Sequence, residues 1–356
     1  MRSASRSSWA DAPEQVSLPR AGLLDDGLGR PLRDLRISVT DRCSFRCGYC
    51  MPEEKFGPRF RFLERRELLT YEELIRLSRL FMRLGVRKIR ITGGEPLLRR
   101  DLPRLVALLA ALPDLEDLAL TTNGVLLPSL AGPLRAAGLK RVTVSLDTLD
   151  GKLLKAMNGR RADVDQVLAG IDAAVSAGFR PVKINAVILR GVNEASILEL
   201  ARHFHGSGQI LRFIEFMDVG HSNGWRPGKV VPESEILQRI HAVFPLEALP
   251  PSHPGEVARR YRSRDGGGEI GVVASVSRPF CGWCNRARLS PEGRLLTCLF
   301  AAGGRDLRAL LRGGSTDGEI LSVLRQIWRG RDDRYSETRS PSTAARSRME
   351  MHHIGG

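Results

Sequence analysis

Residues 35–50 read LRISVTDRCSFRCGYC: a short β-branched run, then three thiols, Cys43, Cys47 and Cys50, within eight positions and with no histidine or fourth cysteine nearby. A cysteine loop that directly follows a strand points to a metal or cluster site at that strand's end. Five further strand-like runs follow: VRKIRIT (86–92), EDLALTT (116–122), RVTVSL (141–146), VKINAVIL (182–189) and LRFIEFM (211–217). Between them lie stretches of helical period, among them YEELIRLSRLFMRLG, DLPRLVALLAAL and DVDQVLAGIDAAVSAG. In the last, Val164, Val167, Leu168, Ile171 and Val175 form one apolar stripe.

Repeated strand-then-helix units require a parallel sheet, because each crossover must return over one face before the next strand begins. A doubly wound open sheet and a partial barrel both satisfy that rhythm. The placement of unusual residues separates them: the cysteines follow the first strand, GGEP (93–96) the second and MDVG (217–220) the sixth, while TTNG (121–124) and SLDT (145–148) sit at the third and fourth. A barrel brings all those strand ends to one mouth, whereas a doubly wound sheet concentrates them at one switch point. The expectation is therefore α/β, a six-stranded partial TIM-like barrel. After ESEILQRIHAVF (233–244) the Pro/Gly-rich LPPSHPGE ends the βα rhythm, and GEIGVVASVS (268–277) reads as strands of a smaller module. The expected organisation is a disordered extension over 1–28, the barrel over 29–245, a C-terminal module over 246–329 and a mobile tail over 330–356.

Composition bounds the function. The chain has 356 residues, 42% of them hydrophobic, which suffices for a large core. Its formal charge of +15 suits partners carrying phosphate, whether a nucleotide, a nucleic acid or an anionic membrane, but 48 of its 55 basic residues are Arg, as a solvated Arg-rich surface would also give. No apolar run approaches a membrane span and the first residues lack an apolar leader core, so a cytoplasmic protein is expected. Six cysteines in two sets of three do not make the framework of a small secreted domain.

Each set is one ligand short of a closed tetrahedral site. Zinc with a distant fourth ligand remains open for both; a four-iron cluster with one iron left free is the sharper reading. The second set is Cys281, Cys284 and Cys298. Within it NRARLS places Arg286 and Arg288 two apart, on one side of any extended segment. They would be either a solvated basic strand or a pair of cations beside an open cluster.

The pattern Cys-x3-Cys-x-aromatic-Cys, with Tyr49 before the last thiol, and GGEP after the second strand resemble the radical S-adenosylmethionine (SAM) superfamily. In order, LRISVTDRCSFRCGYCMP, RKIRITGGEPLLRRDL, TTNG, VSLDTLD, RFIEFMDVG, CGWCNRARLS and the terminal Ile354-Gly355-Gly356 resemble the MoaA family, the GTP 3′,8-cyclases of molybdenum cofactor biosynthesis. The resemblance implies two [4Fe–4S] clusters: one on Cys43, Cys47 and Cys50 that binds and cleaves SAM, one on Cys281, Cys284 and Cys298 that meets the guanine of GTP. It implies SAM contacts at Tyr49, Gly94, Ser145 and Met217. It implies GTP contacts at Arg36, Lys88, Arg90, Thr121, Lys183, Arg286 and Arg288, to which Arg212 on the sixth strand is added, with Arg286, Arg288, Gly355 and Gly356 taking part in catalysis. The implied reaction takes hydrogen from C3′ of GTP, joins C3′ to C8 and yields 3′,8-cyclo-7,8-dihydro-GTP.

Strand alternation agrees for Arg36, Lys88, Arg90 and Lys183, which share the parity of inward-facing neighbours. A barrel interior lined by cations would be a poor core unless a polyanion filled it. The family further implies a reductant or electron-donor protein, delivery of product to the cyclic pyranopterin monophosphate synthase MoaC, and a monomer or homodimer, with neither nucleic acid nor membrane as partner. Ser44 departs from the family's usual Asn. A peptide-maturase-like radical SAM enzyme and a basic zinc-binding nucleic-acid protein are the competing readings.

Overall fold

The computed structural model describes residues 24–253, 255–340 and 348–355. The six sequence-read strands form as β1 (Asp34–Ser38), β2 (Lys88–Thr92), β3 (Asp117–Thr122), β4 (Arg141–Ser145), β5 (Lys183–Ile188) and β6 (Ile210–Glu215), each hydrogen-bonded in parallel to the next. Helices cover the outside. The first long one, Tyr71–Met82, starts at a reciprocal cap in which Thr70 Oγ1 accepts from Glu73 N at 3.1 Å and Glu73 Oε2 accepts from Thr70 N at 2.7 Å.

The sheet does not close on itself. Side chains from all six strands nevertheless line one cavity, which an open flat sheet could not arrange, so the strands curve into a partial barrel.

The C-terminal strands belong to this same sheet. They are β7 (Leu246–Leu249), β8 (Arg259–Ser263), β9 (Glu269–Val273), β10 (Arg286–Leu289), β11 (Arg294–Leu296) and β12 (Arg305–Asp306). The strand order is β12-β11-β10-β1-β2-β3-β4-β5-β6-β9-β8-β7. β9 joins β6 in parallel and β10 joins β1 in parallel. The 274–285 connection therefore runs from one edge of the barrel to the other, across its open seam, and carries Cys281 and Cys284. Glu215, fully buried at the end of β6, holds its start by accepting from Val276 N at 2.8 Å and Ser277 N at 2.9 Å.

Two sequence-drawn limits shift. Residues 24–28, assigned to the extension, are packed: Asp26 is buried and Leu24 O accepts from Leu32 N at 3.1 Å. Residues 1–23 lie outside the described part. Residues 331–340 and 348–355, assigned to a mobile tail, are also packed, because Arg339 and Arg348 both pair with Asp218 of MDVG, at 3.0 and 3.2 Å. A local composition rich in polar residues hid these buried ion pairs.

The helix Val164–Ser176 buries Val167, Gly170, Ile171 and Ala174, while Val164, Leu168 and Val175 lie at the margins of that face. The centre is small because the helix crosses the TTNG turn closely: a Cβ on Gly170 would lie 2.1 Å from Gly124 O. Gly170→Ala is therefore expected to destabilise the fold by about 1–3 kcal/mol through overpacking, measured as a lower denaturant midpoint at unchanged slope.

Candidate functional site

Cys43, Cys47 and Cys50 are half-buried free thiols on the loop after β1. Gly94 of GGEP packs directly on this loop: its N–H donates to Thr40 O at 2.8 Å, and a Cβ there would stand 2.4 Å from Arg42 O. The glycine is thus needed to seat the cysteine loop, a reason independent of any ligand. Glu95 ties the next two turns together, accepting from Leu97 N at 3.0 Å, Thr122 Oγ1 at 2.7 Å and Asn123 N at 2.7 Å. Burial pushes its carboxyl up to about 7. Asn123 in turn donates through Nδ2 to Ser44 Oγ at 3.0 Å, so the departing serine keeps a bond to TTNG. Tyr49 donates to Asp147 Oδ2 of SLDT at 2.8 Å. Ser145 ends β4 and Met217 follows β6, so the four sequence-assigned SAM contacts lie on the same rim as the first thiols.

The cavity below that rim is open to solvent. All eight sequence-assigned GTP contacts line it: Arg36, Lys88, Arg90, Thr121, Lys183, Arg212, Arg286 and Arg288. Cys281, Cys284, Cys298 and Met217 line it too. Tyr49, Gly94 and Ser145 are not among its walls. The register explains the convergence of cations, since Arg288 pairs with Arg36 and Arg36 with Arg90 across three neighbouring strands. Gly271 of β9 faces Arg212, and a Cβ there would press on Arg212 Cγ at 2.9 Å.

Arg286 and Arg288 are 8% and 4% exposed, which excludes the solvated-strand reading. The Nε atoms of Arg36, Arg90 and Arg212 are buried with no hydrogen-bond partner among the described residues. Unpaired buried donors are costly, and all three belong to side chains that line the cavity. Burial and neighbouring cations lower the proton affinity throughout: Arg36 to about 9, Arg90 to about 10, Arg212 to about 10 and Lys183 to about 8. Burial alone would raise Asp34, yet Lys88, Arg36, Arg90 and Arg286 hold it well below the usual carboxylate range.

Sequence reading missed Asp34, Arg141 and Asn185 in this wall. Asp34 pairs with Lys88 at 3.0 Å, and Arg141 pairs with Asp117. Asp34 and Arg141 are the first residues of their strands, in step with Arg36 and Ser145, so carrying the alternation back to the strand starts would have found them.

The tail meets the cavity wall at Arg288. Gly355, at φ +70°, accepts from Arg288 through its carbonyl, and a Cβ on it would lie 1.9 Å from Thr92 Oγ1. Gly356 lies outside the described residues. His352 packs edge-on against Phe56 at 4.6 Å, and His353 Nε2 meets Glu292 at 2.8 Å.

The donor sets fit iron–sulfur clusters. Among the described residues no three His, Cys, Asp or Glu side chains converge as ligands of a single ion do. Burial pushes Cys43 and Cys298 up to about 12, and Cys47 and Cys50 up as well. Such thiols ionise only beside strong positive charge, which a bound cluster's iron provides. At Cys284 burial is outweighed by Arg286 and Arg331, which bring it down to about 6.

Comparison with known proteins agrees with this geometry. Residues 37–204 match the radical SAM superfamily model and residues 209–337 the Molybdenum Cofactor Synthesis C model. A GTP 3′,8-cyclase of Acidothermus cellulolyticus is 59% identical over 88% of this chain and 88% of its own. One of Xanthomonas axonopodis pv. citri is 52% identical over 94% of this chain and 99% of its own. Among solved structures, Streptococcus suis SuiB bound to S-adenosylmethionine shares the fold at TM-score 0.57 and 18% identity, over 82% of this chain and 68% of that one. With half or more of its residues identical to curated cyclases along nearly their whole length, the chain belongs to the GTP 3′,8-cyclase family of radical SAM enzymes.

Proposed function

We propose that the cationic cavity is the GTP site of a 3′,8-cyclase acting in molybdenum cofactor biosynthesis, with the triphosphate held by Arg36, Lys88, Arg90, Lys183 and Arg212, and Thr121 beside them. The observation that carries it is the cluster of Arg36, Lys88, Arg90, Lys183 and Arg212 side chains lining one cavity. A triphosphate satisfies them and offsets their mutual repulsion. The peptide-maturase reading is not favoured, since nothing in an uncharged peptide backbone would do the same.

As a radical SAM enzyme the chain binds a 4Fe–4S cluster and SAM; Cys43, Cys47 and Cys50 would hold the cluster, with Tyr49, Gly94, Ser145 and Met217 around SAM. A second cluster on Cys281, Cys284 and Cys298 would face the guanine. When bound, these groups supply one electron for SAM cleavage, a radical able to take hydrogen from C3′, and the later reduction. The protein's own part is positioning. Cations on β1, β2, β5 and β6 fix the phosphates, Arg286 and Arg288 fix the base side, and the ribose is left between them, towards the rim that carries the first thiols. Gly355 meets the site from the tail through Arg288, and Gly356 is assigned to catalysis with it. The working division remains a barrel to residue 245 and a C-terminal module after it. A reductant protein, transfer of product to a MoaC-type synthase, a monomeric or homodimeric state and a cytoplasmic location complete the reading; among the described residues no helix is long and apolar enough to cross a membrane.

GTP binding to the anaerobic protein tests the assignment. GTP should bind at least about 100-fold more tightly than guanosine, the loss expected when buried charges forfeit their partners; equal affinities would contradict the triphosphate site. The pH dependence has a definite sign. Lys183 loses its proton at about 8 in the empty site, and a bound polyanion raises that value. Binding should therefore take up a proton above pH 8, and affinity should be greatest below pH 8 and fall as pH rises through it. Lys183→Met should weaken binding and flatten this dependence.

A further inference from the structure

Cys281 and Cys284 lie on the seam-crossing connection, whereas Cys298 follows β11. The β10–β11 register ends at Arg288–Leu296, so the ladder does not reach any of the three. Two guanidinium groups hold their main chain instead. Arg30 Nη1 donates to Cys281 O at 2.8 Å and to Asp333 O at 2.7 Å. Arg331 donates through Nη1 to Cys284 O at 2.7 Å and through Nε to Thr297 O, the residue before Cys298, at 3.0 Å.

One carboxylate joins the two arginines. Asp26 Oδ2 accepts from Arg30 Nε at 2.7 Å and from Arg331 Nη1 at 2.8 Å. The three side chains are 0–2% exposed. Trp328 backs them, with its ring 4.6 Å from the Arg331 guanidinium carbon and its Nε1 donating to Arg30 O at 3.2 Å. Burying three charges in this way is expensive, and hydrophobic packing of the same volume would stabilise the fold as well or better. What packing could not supply is a fixed backbone at three separate ligand positions.

We infer that Asp26, Arg30 and Arg331 are positioning residues for the second three-cysteine site: the arginines set the main chain at all three ligands, and Asp26 locks the arginines to each other. The inference rests on the second-cluster reading above. It assigns a role to Asp26, in a segment whose local composition gives no sign of one. Partners that orient metal ligands typically change metal affinity by about 10–100-fold when removed.

The test uses the full chain with Cys43, Cys47 and Cys50 replaced by alanine, so that only the second site can load. After anaerobic reconstitution this chain should hold about four iron atoms. Adding Arg331→Gln or Asp26→Asn should lower retention against a chelator by about 10–100-fold, and the residual cluster should show an altered electron paramagnetic resonance (EPR) spectrum and a shifted midpoint potential, lower for Arg331→Gln and higher for Asp26→Asn. Arg331→Lys, which keeps the charge but not the fork, should fall between. Unchanged retention and potential in both variants would overturn the inference alone. Failure of the parent to load any iron would overturn the second-cluster reading and the inference with it. In the complementary chain, with Cys281, Cys284 and Cys298 as alanine, the same substitutions should leave first-site loading intact; its loss would make the triad a general folding element and overturn the inference.

Discussion

Arg288→Ala is expected to abolish cyclised product while 5′-deoxyadenosine formation continues in the presence of SAM and reductant. The side chain is 4% exposed, stands opposite Arg36 in the β10–β1 register and donates to Gly355 O. It lies with the second thiols on the cavity wall, whereas Cys43, Cys47 and Cys50 are not among the lining residues. Removing it frees the base side of the nucleotide and the tail together. A misplacement of the reacting carbons by about 1 Å already costs about 100-fold, so product should fall by at least that factor. Arg288→Lys keeps a charge without the planar fork and should recover only part of the activity. Equal loss of 5′-deoxyadenosine would refute the assignment of Arg288 to the substrate side.

Gly355→Ala should have a comparable effect through sterics. At φ +70° an alanine is strained by about 1–2 kcal/mol. Its Cβ would also stand 1.9 Å from Thr92 Oγ1 and 2.5 Å from Thr92 Cβ, a side chain on β2 whose hydroxyl bonds Ile37 O at 3.3 Å. The tail cannot seat without moving one of them. Product should again drop by about 100-fold, with iron content and melting temperature unchanged, because the displaced segment is the last few residues. Thr92→Ala removes the hydroxyl, so in the double variant part of the loss should return; strict additivity of the two single effects would mean that this contact is not the cause.

Much of the site was legible because it follows from alternation. Once the strands were placed, the parity of Arg36, Lys88, Arg90 and Lys183 put them inside, and four cations inside a barrel demand an anion. The partial barrel was legible for a related reason, since the cysteines, GGEP and MDVG could share one place only if their strand ends met.

What escaped was set by distant pairings. Nothing local distinguishes the 268–277 run as a strand that extends β6 in parallel, or RARL as one that extends β1, because a strand's own alternation does not name its neighbour. Asp26 and the packed tail escaped for the same reason: Asp26 acquires meaning only from Arg331, and Arg348 only from Asp218. Asp34 was within reach but sits one step outside the β-branched run that marks its strand, and Arg141, inside its run, shares the parity of Ser145.

The most direct test of a GTP cyclase built on two three-cysteine sites is a single-turnover reaction under anaerobic conditions, with GTP, SAM and a chemical reductant. Formation of 5′-deoxyadenosine together with an equal amount of 3′,8-cyclised GTP is the expected result. 5′-Deoxyadenosine with GTP recovered unchanged, or no cleavage of SAM in protein loaded with iron and sulfide, would contradict it.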